Sequence, residues 1–158
     1  MRAGDLAQAF ETVTPETEAL SAAQAMAAAR QPGLIVCGDD GRPYTIIPGS
    51  QVLRFLIPDY LQETPALARA LDEQASEELC RKLERTTVRD LLPHPRDVDE
   101  LPVVDVDATP LEVAAVMARL HSPVVAVVDD EGGTGRVVGA ITASRLLDHL
   151  LTARPAQP

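Results

Sequence analysis

Aromatic residues are scarce in this sequence, which contains two tyrosines, two phenylalanines and no tryptophan. Proteins that bind single-stranded nucleic acids commonly stack the bases on aromatic side chains, so this scarcity argues against such a partner. Basic residues are also few, because 14 lysines and arginines face 24 acidic residues and leave a formal net charge of −10. That charge would repel a nucleic-acid duplex or an anionic membrane. We therefore expect no nucleic-acid partner, and any anionic ligand needs a local positive site.

Cysteine and long apolar runs are also lacking. The two cysteines, Cys37 and Cys80, are far apart and form no CxxC motif, so we expect free thiols with packing roles in a reducing compartment. No apolar stretch reaches the roughly 20 residues that span a bilayer. The first residues also lack the basic and apolar regions of a signal peptide. The expected location is the cytoplasm, with no direct membrane insertion.

What the sequence does contain is an internal repeat. Residues 13–41 align with residues 104–132 at a constant offset. The composition is 46% hydrophobic, which is enough for a substantial core in 158 residues. Two halves that each leave an apolar face uncovered are expected to bury those faces against each other. The aligned pairs include Leu20 with Leu111, Met26 with Met117, Pro32 with Pro123, and Gly41 with Gly132.

Each half predicts the same five elements in the order strand, helix, strand, strand, helix. Helical apolar spacing follows Thr17 and Thr109, which are candidate N-caps or near-caps, and short apolar runs between turns indicate buried strands. The fold class is therefore α+β, with two pseudo-symmetric motifs packed as one module. The predicted strands are residues 11–14, 33–37 and 44–47 in the first half and 102–106, 124–128 and 137–141 in the second.

The segment between the copies departs from the repeat. Apolar residues recur every four positions from Leu67 to Leu83, which predicts one long amphipathic helix, an addition to the two motifs. The charged face of this helix is then a solvated surface. The alternative is that the leucine stripe forms a dimer or partner interface. Short helices around Asp5-Leu6 and Asp90-Leu91 are expected to lead into the two copies. The predicted boundaries are residues 1–57 for the first motif, 58–86 for the helical segment, 87–151 for the second motif and 152–158 for a flexible tail.

This order of elements resembles a tandem pair of CBS domains, also called a Bateman module. The resemblance rests on "HSPVVAVVDDEG" (121–132), "VVGAIT" (137–142) and "SRLLDHLL" (144–151), and on "RQPGLIVCGDDGRPYTII" (30–47) in the first copy. It implies two halves related by a pseudo-twofold axis, sheets packed face to face with clefts between them, and a homodimer. It further implies a non-catalytic protein that senses AMP, ADP, ATP, S-adenosylmethionine or cyclic di-AMP and regulates an enzyme, channel or transporter.

The family's ligand-binding turn has the form Gly-apolar-apolar-Ser/Thr-x-x-Asp. Residues 139–145, "GAITASR", match its glycine and hydroxyl, but Arg145 stands at the aspartate position. Residues 45–51, "TIIPGSQ", match none of the three, so the first copy is not expected to bind a nucleotide in the usual way. The resemblance implies an apolar slot for the base and hydrogen bonding of ribose by an acid. The predicted ligand-binding residues are Val104, Asp105, Val106, Val124, Val125, Ile141, Thr142 and Arg145.

Arg145 raises a physical question, because a positive charge near a helix N-terminus opposes the helix dipole by about 0.3–1 kcal/mol. Thr142 as N-cap, with the amides that follow, forms an anion site to which the guanidinium can add a bidentate phosphate contact. The alternative is a surface ion pair with Asp148, without any ligand. A protein whose nucleotide sites have degenerated would instead be a ligand-independent dimeric scaffold.

Other candidate chemistry is weak. Three consecutive acids at 129–131 are more typical of a solvated turn than of a metal site. The glycine-rich residues 132–135 lack the Lys-Ser/Thr of a P-loop. His94, His121 and His149 have no second ligand at suitable spacing, and no nucleophile, base and acid are recognisable as a set. We therefore expect no bound metal and no obligatory cofactor, and an enzyme is the least supported alternative.

Overall fold

Two three-stranded sheets form the framework of the chain, of which a computed structural model describes residues 1–92, 100–130 and 135–153. In each sheet the first strand is parallel to the second, and the second is antiparallel to the third. The α+β class with two equivalent motifs is therefore confirmed. The first sheet contains β1 (Thr12–Val13), β2 (Gly33–Cys37) and β3 (Pro43–Pro48), and the second contains β4 (Val103–Asp105), β5 (Val124–Asp129) and β6 (Arg136–Thr142).

Helices flank both sheets. Thr109 is the N-cap of its helix and accepts a hydrogen bond from Glu112 N at 3.2 Å, as predicted. Thr17 is a near-cap rather than the N-cap, because the helix begins after Glu18, and the Thr17 hydroxyl accepts a hydrogen bond from Thr14 N. The helices are α1 (Ala3–Leu6), α2 (Ala19–Ala28), α3 (Gly49–Leu56), α4 (Asp59–Glu63), a 3-10 helix (Pro65–Ala70), α5 (Glu73–Glu84), α6 (Val88–Leu91), α7 (Pro110–Leu120) and α8 (Ala143–Thr152).

The repeat extends to details of the backbone. Arg30 and His121 both have a left-handed φ, 53° and 52°, after the helix that precedes the middle strand. Each middle strand has its irregularity at the matching place, between Val36 and Cys37 or between Val127 and Val128. Because the second hairpin is longer, the conformational counterpart of Gly41 is Gly135, and both have a positive φ.

The core lies on both faces of the middle strands. Val125 and Val127 of β5 pack under the helices, whereas Val124 and Ala126 face the first sheet and contact the cluster that contains Ile35 of β2. A fully buried valine or isoleucine contributes about 1.5–3 kcal/mol relative to an exposed one. Burial on both faces explains why these strands are continuous apolar runs rather than alternating ones.

The two short helices that precede the motifs are present as predicted, but each docks on the other half of the chain. α1 packs against the second sheet, and α6 packs beside α2 of the first half. Packing therefore joins the N-terminal residues to the second half. The domain boundaries drawn along the chain remain a prediction. The docking bonds are Ala3 N to Ala108 O (2.8 Å) and Gly4 N to Val106 O (2.9 Å) for α1, and Val88 N to Thr17 O (2.8 Å) and Arg89 N to Pro15 O (2.9 Å) for α6.

The N-terminal segment continues along the edge of the second sheet. Gln8 and Ala140 of β6 form an antiparallel bridge with two hydrogen bonds of 2.9 Å, one in each direction. This approach requires a glycine beside it, because a Cβ on Gly139 would lie 2.6 Å from Gln8 O. The glycine of the turn therefore admits the chain's own N-terminal backbone.

The single long helix predicted between the motifs is wrong. The segment divides into α4, the 3-10 helix and α5, because Leu71 is extended and Asp72 caps a new helix by accepting from Gln74 N at 3.1 Å. The leucine stripe is broken accordingly: Leu83 is buried beside α2 and α3, whereas Leu67 and Leu71 are about half exposed. The predicted tail lies outside the described residues from position 154 onward. Within the described part of the chain, no helix is both long and apolar enough to cross a membrane.

The close approach at Gly139 predicts the effect of a methyl group. Gly139→Ala should lower the free energy of unfolding by about 1–3 kcal/mol, since the added Cβ meets a hydrogen-bonded backbone oxygen that cannot rotate away. Gly49→Ala is the matched control: its Cβ would have no neighbour closer than 3.6 Å, and the equivalent residue of the second half is Ala143. Urea unfolding measures both, and equal stability of the two variants would contradict the packing described.

Candidate functional site

The turn from β6 into α8 places Thr142 at the start of a ten-residue helix. Thr142 is the N-cap, and its Oγ1 accepts a hydrogen bond from Arg145 N at 3.2 Å. The amide of Ala143 donates to Pro123 O at 3.0 Å. These two bonds leave the amide of Ser144 as the first-turn donor that neither engages, with the Ser144 hydroxyl 3.2 Å from Thr142 Oγ1. The predicted cap is confirmed in geometry, but the set of amides available to an anion is smaller than a free helix end offers.

Arg145 is held by a backbone group from the other end of the chain. Its Nε donates to Leu6 O at 2.6 Å, and Leu6 is the last residue of α1. No ion pair with Asp148 occurs in the part of the chain that the structure describes, so that alternative is wrong. A cation is unfavourable at the start of a helix but favourable beside the unpaired carbonyls that end one. The carbonyl of α1 therefore offsets the cost of placing this charge at the N-terminus of α8.

The predicted apolar slot is not formed by Val104, Val124 and Val125, and Ile141, another predicted ligand-binding residue, is buried as well. Val124, Val125 and Ile141 are fully buried, and Val104 is 5% exposed. Val104, Val125 and Ile141 belong to the core beneath the helices, whereas Val124 lies between the sheets. In this conformation a ligand meets at most the backbone of these residues.

Asp105 and Val106 lie at the opposite end of the second sheet from the turn. Thr142 is paired with Val124, whereas Asp105 is paired with Val128, four residues further along β5 and hence about 13 Å away. Asp105 Oδ1 accepts from Asp107 N at 2.9 Å, and Val106 O accepts from Gly4 N. The structure thus brings together Thr142 and Arg145, but it does not bring Asp105 beside them.

The corresponding turn of the first half lacks these features. Pro48 is the N-cap of α3 and makes no side-chain capping bond. Ser50 is exposed, and Gln51 stands where the second half has Arg145. The backbone bond is nevertheless repeated, since Gly49 N donates to Pro32 O at 3.0 Å. The two turns share a backbone and differ in the side chains that would meet a ligand.

The remaining candidates are a metal site, the two cysteines and one further cavity. Within the described residues no group of three or more histidine, cysteine and acidic side chains is placed to hold a metal ion. His94, Glu131 and residues 132–134 lie outside that part. Both cysteines are free, as predicted, but the predicted packing role is wrong for Cys80, which is exposed. Burial raises the pKa of the Cys37 thiol, which makes it a poor nucleophile. A cavity of about 250 Å³ beside Cys37 lies at the hairpin ends, at the far end of β6 from Thr142, and is lined by Asp39 and Asp40 as well as Arg136.

The sequence did not predict two features of this region. One is the backbone of residues 6–8, because carbonyl groups carry no sequence signal; the only hint was the glycine at 139, which marks a close approach. The other is a set of exposed leucines on the outer side of the second half. Leu111 is 73% exposed, and Leu147 and Leu151, one turn apart on α8, are 55% and 62% exposed.

With this geometry in hand, two comparisons define the family. A family model described as the CBS domain matches residues 87–152, which contain β4 to α8. A solved structure from Kribbella flavida, described as a CBS domain-containing protein of unknown function, is 46% identical, with a TM-score of 0.79, and the alignment covers 96% of this chain and 99% of that one. The chain belongs to the CBS-domain family. The predicted resemblance to a tandem CBS pair is therefore confirmed.

More distant structures share the fold of this CBS pair. A CBS domain pair/ACT domain protein from Thermotoga maritima is 17% identical, with a TM-score of 0.64, over 98% of this chain and 100% of that one. The structure of CBSX2 in complex with AMP is 19% identical, with a TM-score of 0.64, over 96% of each chain. Among curated proteins, none matches the chain.

The cap at Thr142 predicts that removing a hydroxyl destabilises the protein more at the second turn than at the first. Thr142→Ala should cost about 1 kcal/mol of unfolding free energy, because the amide of Arg145 loses its acceptor. Ser50→Ala, in the first turn of α3, should change stability by less than about 0.5 kcal/mol, since α3 has no side-chain cap to lose. Thermal and urea unfolding provide the comparison, and a smaller loss for Thr142→Ala than for Ser50→Ala would refute the capping role.

Proposed function

We propose that this CBS pair is a regulatory protein without catalytic activity, which binds an adenosine-containing nucleotide at the turn between β6 and α8 and modulates a partner protein. The ligand is AMP, ADP, ATP or cyclic di-AMP, and the partner is an enzyme or transporter. The observation that carries the proposal is the joint placement of Thr142 and Arg145 at the first turn of α8.

The charge of Arg145 supports the choice of an anionic ligand. The chain as a whole carries a formal charge of −10, so a phosphate is attracted only where a cation is held in place. The Nε of Arg145 is engaged by Leu6 O, which leaves the two Nη groups as an edge that matches two phosphate oxygens. The amide and hydroxyl of Ser144 lie on the same helical turn. The phosphate, rather than the ribose, is the group recognised at the position where the family usually has an aspartate.

The adenosine part of the ligand is supported by family membership. CBSX2, which shares the fold of this chain, has been crystallised with AMP. The base and ribose need a surface other than the predicted slot, because the side chains of Val104, Val125 and Ile141 are in the core. The N-terminal segment contacts this region through Leu6, whose carbonyl accepts from Arg145, and through Gln8, which is bridged to Ala140 of β6.

Regulation would arise because the ligand contacts the turn beside the N-terminal segment, which leads into β1 of the first sheet. A ligand shifts an equilibrium between arrangements of the halves, or of two protomers, by no more than its difference in affinity for those arrangements. We further infer a cytoplasmic location, since Cys37 and Cys80 are both free thiols.

A thermal-shift panel of AMP, ADP, ATP, S-adenosylmethionine and cyclic di-AMP tests the proposal. A ligand present at 100 times its Kd stabilises the folded state by about 2.7 kcal/mol, so at least one nucleotide of the proposed class should raise the Tm. Arg145→Ala should weaken AMP about tenfold or more and leave adenosine nearly unaffected, because only AMP has a phosphate for the guanidinium. Asp148→Ala on the same helix is the matched control. The proposal fails if no nucleotide in the panel raises the Tm.

A ligand-independent dimeric scaffold is the second candidate, and the exposed leucines favour it. Leu147 and Leu151 form an apolar strip on α8, with Leu111 exposed on the adjacent α7. Isolated exposed leucines are common, but a strip on neighbouring helices is typical of an interface. In the first half α5 packs over α2 and α3, whereas no described helix packs across α7 and α8 in the same way. We propose that a second copy of the chain covers this strip in a homodimer.

Two double variants locate the dimer contact. Leu147→Glu with Leu151→Glu should reduce the mass measured by light scattering to that of one chain, because four glutamates would be buried in the contact. Leu67→Glu with Leu71→Glu alters the half-exposed leucines of the 3-10 segment and should leave the mass unchanged. The reverse result would return the contact to the segment between the motifs, and a monomeric wild-type protein would rule out the scaffold.

A further inference from the structure

We infer that Arg145 couples the ligand-binding turn to the N-terminal helix, so that a phosphate bound at the turn tightens the docking of residues 3–8 on the second sheet. The ligand-linked part of this inference rests on the proposed function. The structural part rests on one contact, the bond from Arg145 Nε to Leu6 O at 2.6 Å, which joins residues 139 positions apart.

Residues 3–8 are attached to the second sheet by few groups. Ala3 and Leu6 are buried in the core under α7 and α8. Backbone bonds fix both ends of the segment: the amides of Ala3 and Gly4 donate beside β4, and Gln8 is bridged to β6. Between these ends, the Arg145 side chain is the polar contact made by the carbonyl of Leu6. A change at Arg145 therefore acts in the middle of a short attachment.

The guanidinium has donors to spare. It carries five N–H groups in a rigid plane, and the Leu6 carbonyl takes the one on Nε. Within residues 1–92, 100–130 and 135–153, Arg145 makes no other side-chain hydrogen bond and no ion pair. A phosphate can therefore bind the Nη edge without displacing Leu6. Each contact orients the guanidinium for the other, so the two are mutually strengthening.

The N-terminal segment connects the ligand-binding turn to the first half of the chain. Residues 3–8 lead directly into β1, which begins at Thr12 in the first sheet. Docking of these residues on the second sheet therefore constrains where the first sheet's edge strand starts. The first half has no equivalent contact among the described residues. Gln51 occupies the position of Arg145 there and makes no side-chain hydrogen bond with them.

Amide hydrogen exchange, resolved by residue with NMR, tests the inference in the full-length chain. Arg145→Met keeps the aliphatic stem and removes every donor. Without ligand, this variant should exchange the amides of Ala3, Gly4 and Gln8 about tenfold faster than wild type, since a charge-assisted bond to the segment is lost. Gln51→Met is the matched control in the first half and should leave those amides unchanged. AMP should slow their exchange in wild type, whereas adenosine should not.

Each outcome decides a separate claim. Wild-type exchange at these amides in ligand-free Arg145→Met overturns the coupling, whatever nucleotide binds. If calorimetry shows that none of AMP, ADP, ATP and cyclic di-AMP binds, the proposed function falls together with the ligand-linked part, while faster exchange in the variant still supports the structural contact. Binding of AMP without added protection at Ala3, Gly4 and Gln8 overturns the ligand-linked part alone. Should Arg145→Met not fold, Arg145→Lys, which lacks the planar Nε–H, is expected to give the faster exchange.

Discussion

The antiparallel contact between Gln8 and Ala140 joins the beginning of the chain to its last strand, and the shape of the candidate site depends on it. Two backbone hydrogen bonds hold the contact, and only a glycine at position 139 leaves room for it. With the backbone of residues 7 and 8 fixed there, α1 ends beside α8 and presents the carbonyl of Leu6 to Arg145. A glycine that the family resemblance assigns to a ligand-binding turn is thus also required by the chain's own N-terminus.

The position of Arg145 is understandable once both neighbouring helix ends are considered. At the first turn of α8 the charge opposes the helix dipole, but at the last residue of α1 it satisfies a carbonyl that has no partner within its helix. Because this bond uses only Nε, the two Nη groups have no hydrogen-bond partner among the described residues. The bond to Leu6 O takes the place of the predicted surface ion pair with Asp148. It is also compatible with phosphate recognition by the rest of the guanidinium.

The internal repeat preserves the backbone more faithfully than the chemistry. Left-handed residues, strand irregularities and the amide-to-proline-carbonyl bonds recur in both halves. The side chains at the two turns do not, since Pro48 and Gln51 stand opposite Thr142 and Arg145. Packing maintains the backbone geometry in both CBS motifs, whereas ligand binding needs suitable polar and charged side chains at one turn only. This asymmetry is consistent both with a single-site sensor and with a scaffold in which the remaining turn has no ligand.

The sequence by itself determined those features that depend on neighbouring residues: the apolar runs that became β2 and β5, the cap at Thr109, and the repeated order of strands and helices. It also pointed to the turn at residues 139–145 through its resemblance to CBS domains. Only the tertiary structure decided that α1 and α6 dock on opposite halves, that Asp72 interrupts the long helix, that Val104, Val125 and Ile141 face the core, and that Arg145 meets Leu6. The reason is physical: periodicity and capping act over a few residues, whereas a backbone carbonyl from 139 positions away leaves no trace in the local pattern.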